Sequence, residues 1–466
     1  MFSSKQSILF TVSLALFMDV LDSNIINTSI PAMSQSLHVS PIDLKVALIS
    51  YLLSLAVFIP ISGWAADKYG VKRIFISAFG VFTLSSFWCG YAHTLTELVI
   101  ARCIQGMGGA FMISLGRLII ARTFKRHELV EAMNAVIIVV SVAVMVGPFI
   151  GGVITDRFSW PWIFWVNIPI GILAMILSTL VLKDDEPRRS RPFDLLGFIL
   201  FGGSLALLCF ALSELSESGV DLVSDLYLIG IAIAILIFYV VHSKQQSHPV
   251  IKLQLLRIRT FQVSVTGNLS ARLGFGGMPF LLPLMQQIGL GFSAQLSGLL
   301  LAPMAFGIIF SKILSLRVLR KLGYRRYLMI NTILVTIVLW SFIFIQSQTS
   351  AYTIAAMTFI FGIVLSAQYT GMNSLAYADI NQDELAASTS ITSTVQVLSQ
   401  TLGVAVGAIL LRYFSTIESS QLTIKVFHQT FFTMGMLTLI SSLVFMRLNQ
   451  DDGSAMLVKN KEVSSS

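Results

Sequence analysis

The sequence predicts an all-α integral membrane protein of fourteen spans, and three observations predict it. Of 466 residues, 55% are hydrophobic and only 12% charged, against about 25% charged in soluble domains. The apolar residues fall in blocks of roughly twenty, the length that crosses about 30 Å of hydrocarbon. The basic residues are distributed with a strong alternating bias between successive loops.

The expected spans are residues 7–33, 43–66, 73–93, 96–120, 131–154, 162–182, 195–213, 225–242, 261–287, 294–315, 327–347, 351–376, 388–411 and 426–446. The first run is too long for a signal-peptide core and lacks a cleavage pattern, so it reads as a retained span. Connections are short, leaving almost no extramembrane mass. With the N-terminus placed in the cytoplasm, the inner side carries 23 Lys and Arg. They include Lys68, Lys72, Arg73, Arg122, Lys125, Arg126, Arg188, Arg189, Arg191, Lys459 and Lys461. The outer side carries only 3, Arg157, Arg412 and Lys425. The positive-inside rule then places both termini in the cytoplasm. The net charge of +8 follows from this bias and gives no reason to expect nucleic acid.

An internal repeat divides the chain. Residues 63–73 read Gly-Trp-Ala-Ala-Asp-Lys-Tyr-Gly-Val-Lys-Arg, and residues 316–326 read Leu-Arg-Val-Leu-Arg-Lys-Leu-Gly-Tyr-Arg-Arg. Gly70 matches Gly323 and the basic pairs align, at an offset of 253. The expected domains are an N-terminal six-helix bundle (1–182), a linker holding two additional helices (183–250), a C-terminal six-helix bundle (251–450) and a flexible cytoplasmic tail (451–466). Paired halves around a midplane site are a transporter architecture.

Ionisable residues within spans are costly, so each is a candidate functional residue. Asp19 and Asp22 lie in the first span, and their spacing of three puts both on one helical side. Asp22 reads either as a proton carrier, neutral in one facing state and ionised in another, or as a buried polar group tied to Asn27 or a neighbouring helix. Arg102, in the fourth span near Gln105, needs acceptors, and a first-span acid is the candidate partner. The repeat offset sets Arg272 opposite Asp19, so the two could pair across a central cavity. Arg117 reads as an interface anchor or a partner of Asp67. Lys45 and Lys312, near span ends, are expected to snorkel. Tyr51, Asn27, Gln105, Gln396 and Gln400 are polar candidates for the substrate cavity. Gly147, Pro148, Gly151 and Gly152 would let the fifth span bend and pack closely. In the 63–73 turn, Gly63, Asp67, Gly70, Lys72 and Arg73 could latch one state.

That turn resembles the signature Gly-x-x-x-Asp-x-x-Gly-x-basic-basic of the major facilitator superfamily. Residues 98–110, with Arg102, Gln105, Gly106 and Gly109, resemble its fourth-span motif. Residues 147–152 resemble the fifth-span motif of its exporters, and residues 21–31, Leu-Asp-Ser-Asn-Ile-Ile-Asn-Thr-Ser-Ile-Pro, are similar to the first-span motif of the fourteen-span drug:proton antiporters. The resemblance runs the whole chain, with MdtD-like multidrug transporters as the nearest subgroup. It implies the major facilitator fold, two six-helix bundles plus two extra helices, and proton coupling through Asp22 and Arg102. Pro161 departs from the family, which usually has a basic or imidazole residue there, and Asp19 lies outside the first-span motif.

The function expected is proton-coupled export of small amphiphilic or cationic compounds, multidrug efflux by alternating access. A dedicated exporter of one metabolite or siderophore is the alternative; an importer or uniporter and a membrane enzyme rank lower. No metal cluster, nucleophile elbow or nucleotide loop is present in the sequence; His127, His242 and His248 are unclustered. No metal or cofactor is expected, the proton gradient being the energy source. The expected partners are a small-molecule substrate, protons and the lipid bilayer, in a bacterial inner membrane. The sequence does not decide whether a periplasmic adaptor or outer-membrane partner is used. Cys89, Cys103 and Cys209 read as small buried hydrophobes.

Overall fold

The structure, a computed structural model, describes residues 4–125, 128–183, 192–215, 222–418 and 421–454. Arg126, His127, Arg188, Arg189, Arg191, Lys459, Lys461 and most of the expected tail lie outside the described residues.

Fourteen bundle helices follow one another in the described residues: α1 (Ser4–Ile25), α2 (Lys45–Tyr69), α3 (Val71–Gly90), α4 (Leu95–Thr123), α5 (Leu129–Arg157), α6 (Trp162–Val181), α7 (Leu195–Glu214) and α8 (Leu222–Gln245). Then come α9 (259–289, in three pieces), α10 (294–322), α11 (324–344), α12 (Ala351–Leu375), α13 (Leu385–Ile417) and α14 (Ile424–Phe445). Three expected boundaries differ, the simplest being that the thirteenth run continues to Ile417 rather than residue 411. The first run does not continue to residue 33: a single 3-10 turn, Ile26–Thr28, ends α1, and a separate short helix, Ile30–Leu37, follows. Pro31 at the start of that helix has no backbone N–H to donate into the preceding turn. Helix α10 runs past residue 315 to the break at Gly323.

The repeat has a backbone counterpart. Gly70 (φ 88°, ψ 141°) separates α2 from α3, and Gly323 (φ 71°, ψ 163°) separates α10 from α11. Residues with a Cβ rarely adopt this conformation, which accounts for glycine at the matching positions. Helix starts are capped by side chains where the sequence supplies them. Thr94 Oγ1 accepts from Glu97 N (3.2 Å), while Glu97 Oε2 accepts from His93 N (2.8 Å), a reciprocal pair that satisfies two donors at once. Ser293 and Asp194 cap α10 and α7 in the same way.

Two interfaces join the first six helices to the last six. One is α2 against α13; the other is α5 against α10. At the second, backbones meet at glycine. A Cβ on Gly152 would lie 2.2 Å from the Ala294 carbonyl oxygen, and one on Gly298 would lie 2.1 Å from that of Pro148. Gly147 and Gly151 face α1: a Cβ on Gly147 would lie 3.0 Å from Asn24 Cβ, and one on Gly151 only 2.4 Å from the Ile25 carbonyl oxygen. The four-residue pattern in α5 is thus a small-residue contact on two sides. Helix α7 touches both α2 and α13, so the extra helix pair sits beside the junction of the halves. Helix α8 presents Leu226, Tyr227, Ile231, Ile237 and Phe238 outward, as a lipid-facing helix should.

At the face opposite the chain ends, the halves are tied by polar contacts. Arg412 pairs with Asp43 (3.3 Å), Asp156 accepts from Gln295 N (2.8 Å), and Gln287 donates to the Thr28 carbonyl (2.9 Å). Lys45 does not snorkel. It is fully buried. Cys103, expected to be buried, is exposed, while Cys89 and Cys209 are buried.

Gly152→Ala should overpack the α5–α10 crossing and cost about 1–3 kcal/mol. Gly63→Ala, where a Cβ meets nothing within 4 Å, should be neutral. Thermal unfolding of the two purified variants checks the contrast; equal midpoints would remove the close-packing role of Gly152.

Candidate functional site

The interior of the first six helices holds a polar network built on Arg102 of α4, which is 1% exposed. Its Nη1 donates to Asp22 Oδ2 (2.5 Å) and to Gln105 Oε1 (2.6 Å), and its Nε donates to the Ala47 carbonyl (3.3 Å). Gln105, one turn along α4, donates to Asp22 Oδ1 (2.9 Å) and to Ser86 Oγ of α3 (2.8 Å). Asn167 of α6 donates to Asp22 Oδ1 (2.7 Å). Five helices therefore meet at one carboxylate–guanidinium pair. Such a pair is tolerable in a low-dielectric interior only when further hydrogen bonds complete it, and here both Asp22 oxygens are occupied. The guanidinium also lies over the Tyr51 ring, 4.0 Å from its centroid, a favourable stacking for arginine.

Tyr51 connects this network to a cavity. Its hydroxyl donates to Asp19 Oδ1, and Asp19 lines a space of about 540 Å³ between the two halves. The cavity wall runs from mid-helix positions, Asp19, Val144 and Ala305, to the end turns near Ile120, Met133 and Asn373, so it leads toward the chain-end face. Most of the wall is aliphatic. Three charges break it: Asp19 on α1, Arg117 on α4 and Lys312 on α10. Gly109 makes room for the Tyr51–Asp19 contact, since a Cβ there would lie 2.7 Å from Asp19 Oδ1.

Several expected placements are corrected by this geometry. Asp19 and Arg272 do not pair. Arg272 donates to the Gln396 carbonyl (3.2 Å) and stacks on Tyr369, 4.1 Å from the ring centroid, so its contacts lie within the second half, although its Nε is left without a partner among the described residues. Arg117 is not the partner of Asp67; Arg122, nearer the helix end, lies 3.7 Å from that carboxylate, and Arg117 donates to Ser393 Oγ of α13 (3.0 Å). Lys312 does not sit at a helix end: α10 continues about three turns beyond it, through the basic residues Arg317, Arg320 and Lys321, and its side chain lines the cavity. Gln105 is sealed in the network rather than lining the cavity. Gln396 is bonded to Asn373 (2.7 Å). Asn27, Tyr51 and Gln400 border a second, much smaller space of about 30 Å³ beside Arg102.

In the 63–73 turn, Asp67 meets Arg122 within the same half, Gly70 supplies the backbone turn, and Gly63 meets no neighbour within 4 Å. Lys72 is half-buried and Arg73 exposed. Asn167 and Ser86 are not singled out by the sequence, and Lys312 is marked there only as a residue near a span end. A lone asparagine inside an otherwise apolar run was the available signal for the first.

The sequence model of the Major Facilitator Superfamily matches residues 12–404. The chain belongs to that superfamily. A protein of Escherichia coli strain K12 designated multidrug resistance protein MdtD is 34% identical over 459 residues, covering 98% of this chain and 97% of its own. The protein of that designation in Shigella boydii serotype 18 matches to the same extent. Among solved structures, a D-xylose–proton symporter superposes with a TM-score of 0.68 at 13% identity, over 97% of this chain and 99% of that one. A bacterial homologue of the human lysosomal transporter Spinster superposes with a TM-score of 0.67 at 14% identity, over 98% of each. Both show the superfamily's fold, and the chain is a membrane transporter rather than an enzyme by family. Among the described residues, no cluster of three or more metal-ligating side chains is present.

Removing one partner of a buried ion pair strands the other charge. Arg102→Met or Asp22→Leu should therefore each destabilise the protein by about 3–5 kcal/mol. The double variant Asp22→Leu/Arg102→Met should lose less than the sum of the two singles. A double-mutant cycle on thermal or denaturant unfolding measures this, and strict additivity would show that the pair is not coupled.

Proposed function

We propose that the protein is a proton-coupled exporter of small amphiphilic compounds, working by alternating access between its two halves. The observation that carries the reading is the cavity. It lies between the halves, leads to the chain-end face, and places Asp19 one tyrosine away from the buried Asp22–Arg102 pair. The multidrug resistance designation of the MdtD relatives supports drug-like compounds as substrates.

The positive-inside bias supports a cytoplasmic chain-end face, in the inner membrane of a bacterium. The cavity then opens inward, and the glycine crossing of α5 on α10 closes the outer side. Export needs the reverse: α5 and α10 part outside while the inner ends approach. Arg117 and Ser393, one from each half, are placed to hold that inner approach. Asp67 with Arg122 and the turn at Gly70 would brace the inner ends of α2 and α4 during it.

Coupling follows from the chain of contacts. Protonation of Asp22 would leave Arg102 without its counter-charge, and the guanidinium would press on the Tyr51 face and the Gln105 carbonyl. Tyr51 carries that change to Asp19 through its hydroxyl. A cationic group arriving at Asp19 acts in the opposite direction, so proton and compound compete through shared contacts. Rocking of the halves turns such competition into exchange. The proton gradient supplies the energy, with no cofactor.

The test is purified protein in proteoliposomes with an imposed pH gradient and a permanent cation such as ethidium. The cation should accumulate in the acidic compartment, and Asp22→Asn should abolish gradient-driven accumulation while leaving energy-independent exchange. Exchange in Asp22→Asn with an unchanged pH dependence would remove the proton role of Asp22. Failure of any gradient to drive either ethidium or a dye of mixed charge such as rhodamine B would remove the export reading.

A further inference from the structure

The charges in the cavity are not those of a site for simple cations. Asp19 offers one carboxylate, hydrogen-bonded to the Tyr51 hydroxyl. Arg117 and Lys312 offer two cations in the same wall. Among the described residues, neither cation has a carboxylate within ion-pair distance; Arg117 donates to the neutral Ser393 hydroxyl (3.0 Å) and feels Asp19 only at longer range. Lys312 lines the cavity more than a turn before the first of the basic residues Arg317, Arg320 and Lys321, and an unpaired cation facing a largely aliphatic wall is costly; that cost points to an anion supplied from outside the chain.

We infer that the preferred substrates are zwitterionic amphiphiles: a flat or aliphatic body carrying one cationic group and one carboxylate or similar anion. The cationic group meets Asp19. The anion lies between Arg117 and Lys312, and the body lies against the aliphatic wall formed by Leu16, Ile113, Val136, Val140 and Ile308. The volume of about 540 Å³ is within the usual range for a drug-sized ligand. A plain cation would feel two like charges beside its one partner. A plain anion would face the Asp19 carboxylate. Only a molecule with both signs satisfies all three side chains.

The arrangement also spans the halves. Asp19 and Arg117 belong to the first six helices and Lys312 to the last six, so an anion held by both cations bridges the surfaces that must move. Arginine has five donors in a fixed fork, and its contact with Ser393 leaves others for the ligand. This inference rests on the export reading for the purpose of the cavity, but its test needs no gradient.

The experiment is binding to the full chain in nanodiscs, followed by fluorescence anisotropy against empty nanodiscs, with three xanthene dyes. Rhodamine B carries a delocalised cation and a free carboxylate, its ethyl ester is the same cation with the carboxylate capped, and fluorescein lacks the cation. Rhodamine B should bind about tenfold more tightly than the ester, the equivalent of about 1.4 kcal/mol, and more tightly than fluorescein. Lys312→Met and Arg117→Gln should each reduce that preference toward unity without weakening the ester, while Lys312→Arg keeps it. Asp19→Asn should weaken both rhodamines. The inference is overturned if the ester binds as well as the acid, if the preference survives both cation replacements, or if rhodamine B does not bind. Gradient-driven ethidium transport with no zwitterion preference would sink this inference alone. The preference without gradient-driven transport would sink the export reading alone.

Discussion

A guanidinium with no access to water must be surrounded by acceptors, and that requirement organises the first half of the molecule. Arg102 draws Asp22 from α1, the Ala47 carbonyl from α2 and Gln105 from its own helix. Through Asp22 and Gln105 it also engages Asn167 of α6 and Ser86 of α3. Moving α1, α2, α4 or α6 out of register would break a charge-assisted bond, and moving α3 the neutral Gln105–Ser86 bond, in a medium where water cannot replace it. The same interaction fixes Tyr51 beneath the guanidinium, and Tyr51 in turn fixes Asp19. The cavity's carboxylate is thus positioned from the core outward.

Asp19 and Asp22 show how little angular difference separates a structural charge from one that meets a ligand. At about 100° per residue, positions three apart point about 60° from one another. That is enough for one carboxylate to be sealed among five helices and the other to reach the space between the halves. The second half arranges its buried polar groups without Asp19, and not completely, since Arg272 Nε has no partner among the described residues. Arg272 uses a backbone carbonyl and the Tyr369 face, and Asn331 and Gln368 bond one another (2.7 Å). Nothing there demands Asp19, which leaves that carboxylate available to the cavity.

The glycine positions link packing to motion. Gly147 and Gly151 seat α5 on α1 within one half, while Gly152, with Gly298, seats it on α10 of the other. One helix turn therefore carries a contact that must persist and a contact that must separate for the outer face to open. Gly70 and Gly323, by contrast, are needed for backbone angles that a side chain would strain. These glycines serve unlike physical ends that a letter in a sequence does not distinguish.

Much was determined by the sequence alone. The number of spans follows from the length of apolar runs, because hydrocarbon thickness sets a helix length. The division into halves follows from Gly70 and Gly323, because the turn they make requires a positive φ. The Asp22–Arg102 pairing follows as a candidate, because an interior guanidinium needs an acid. What only the tertiary structure decided is where each polar side chain points. Lys312 looked like a residue at a helix end, yet it sits well inside one, since the run that ends at residue 315 by hydropathy continues as helix to Gly323. Arg117 and Arg122 differ by five positions on one helix, and packing alone sends the first to the cavity and the second to Asp67. Asp19 was offered Arg272 by symmetry and took Tyr51 instead. Inward direction depends on how helices cross, and crossing is set by contacts between residues far apart in the chain. The local pattern of a single span contains no record of them.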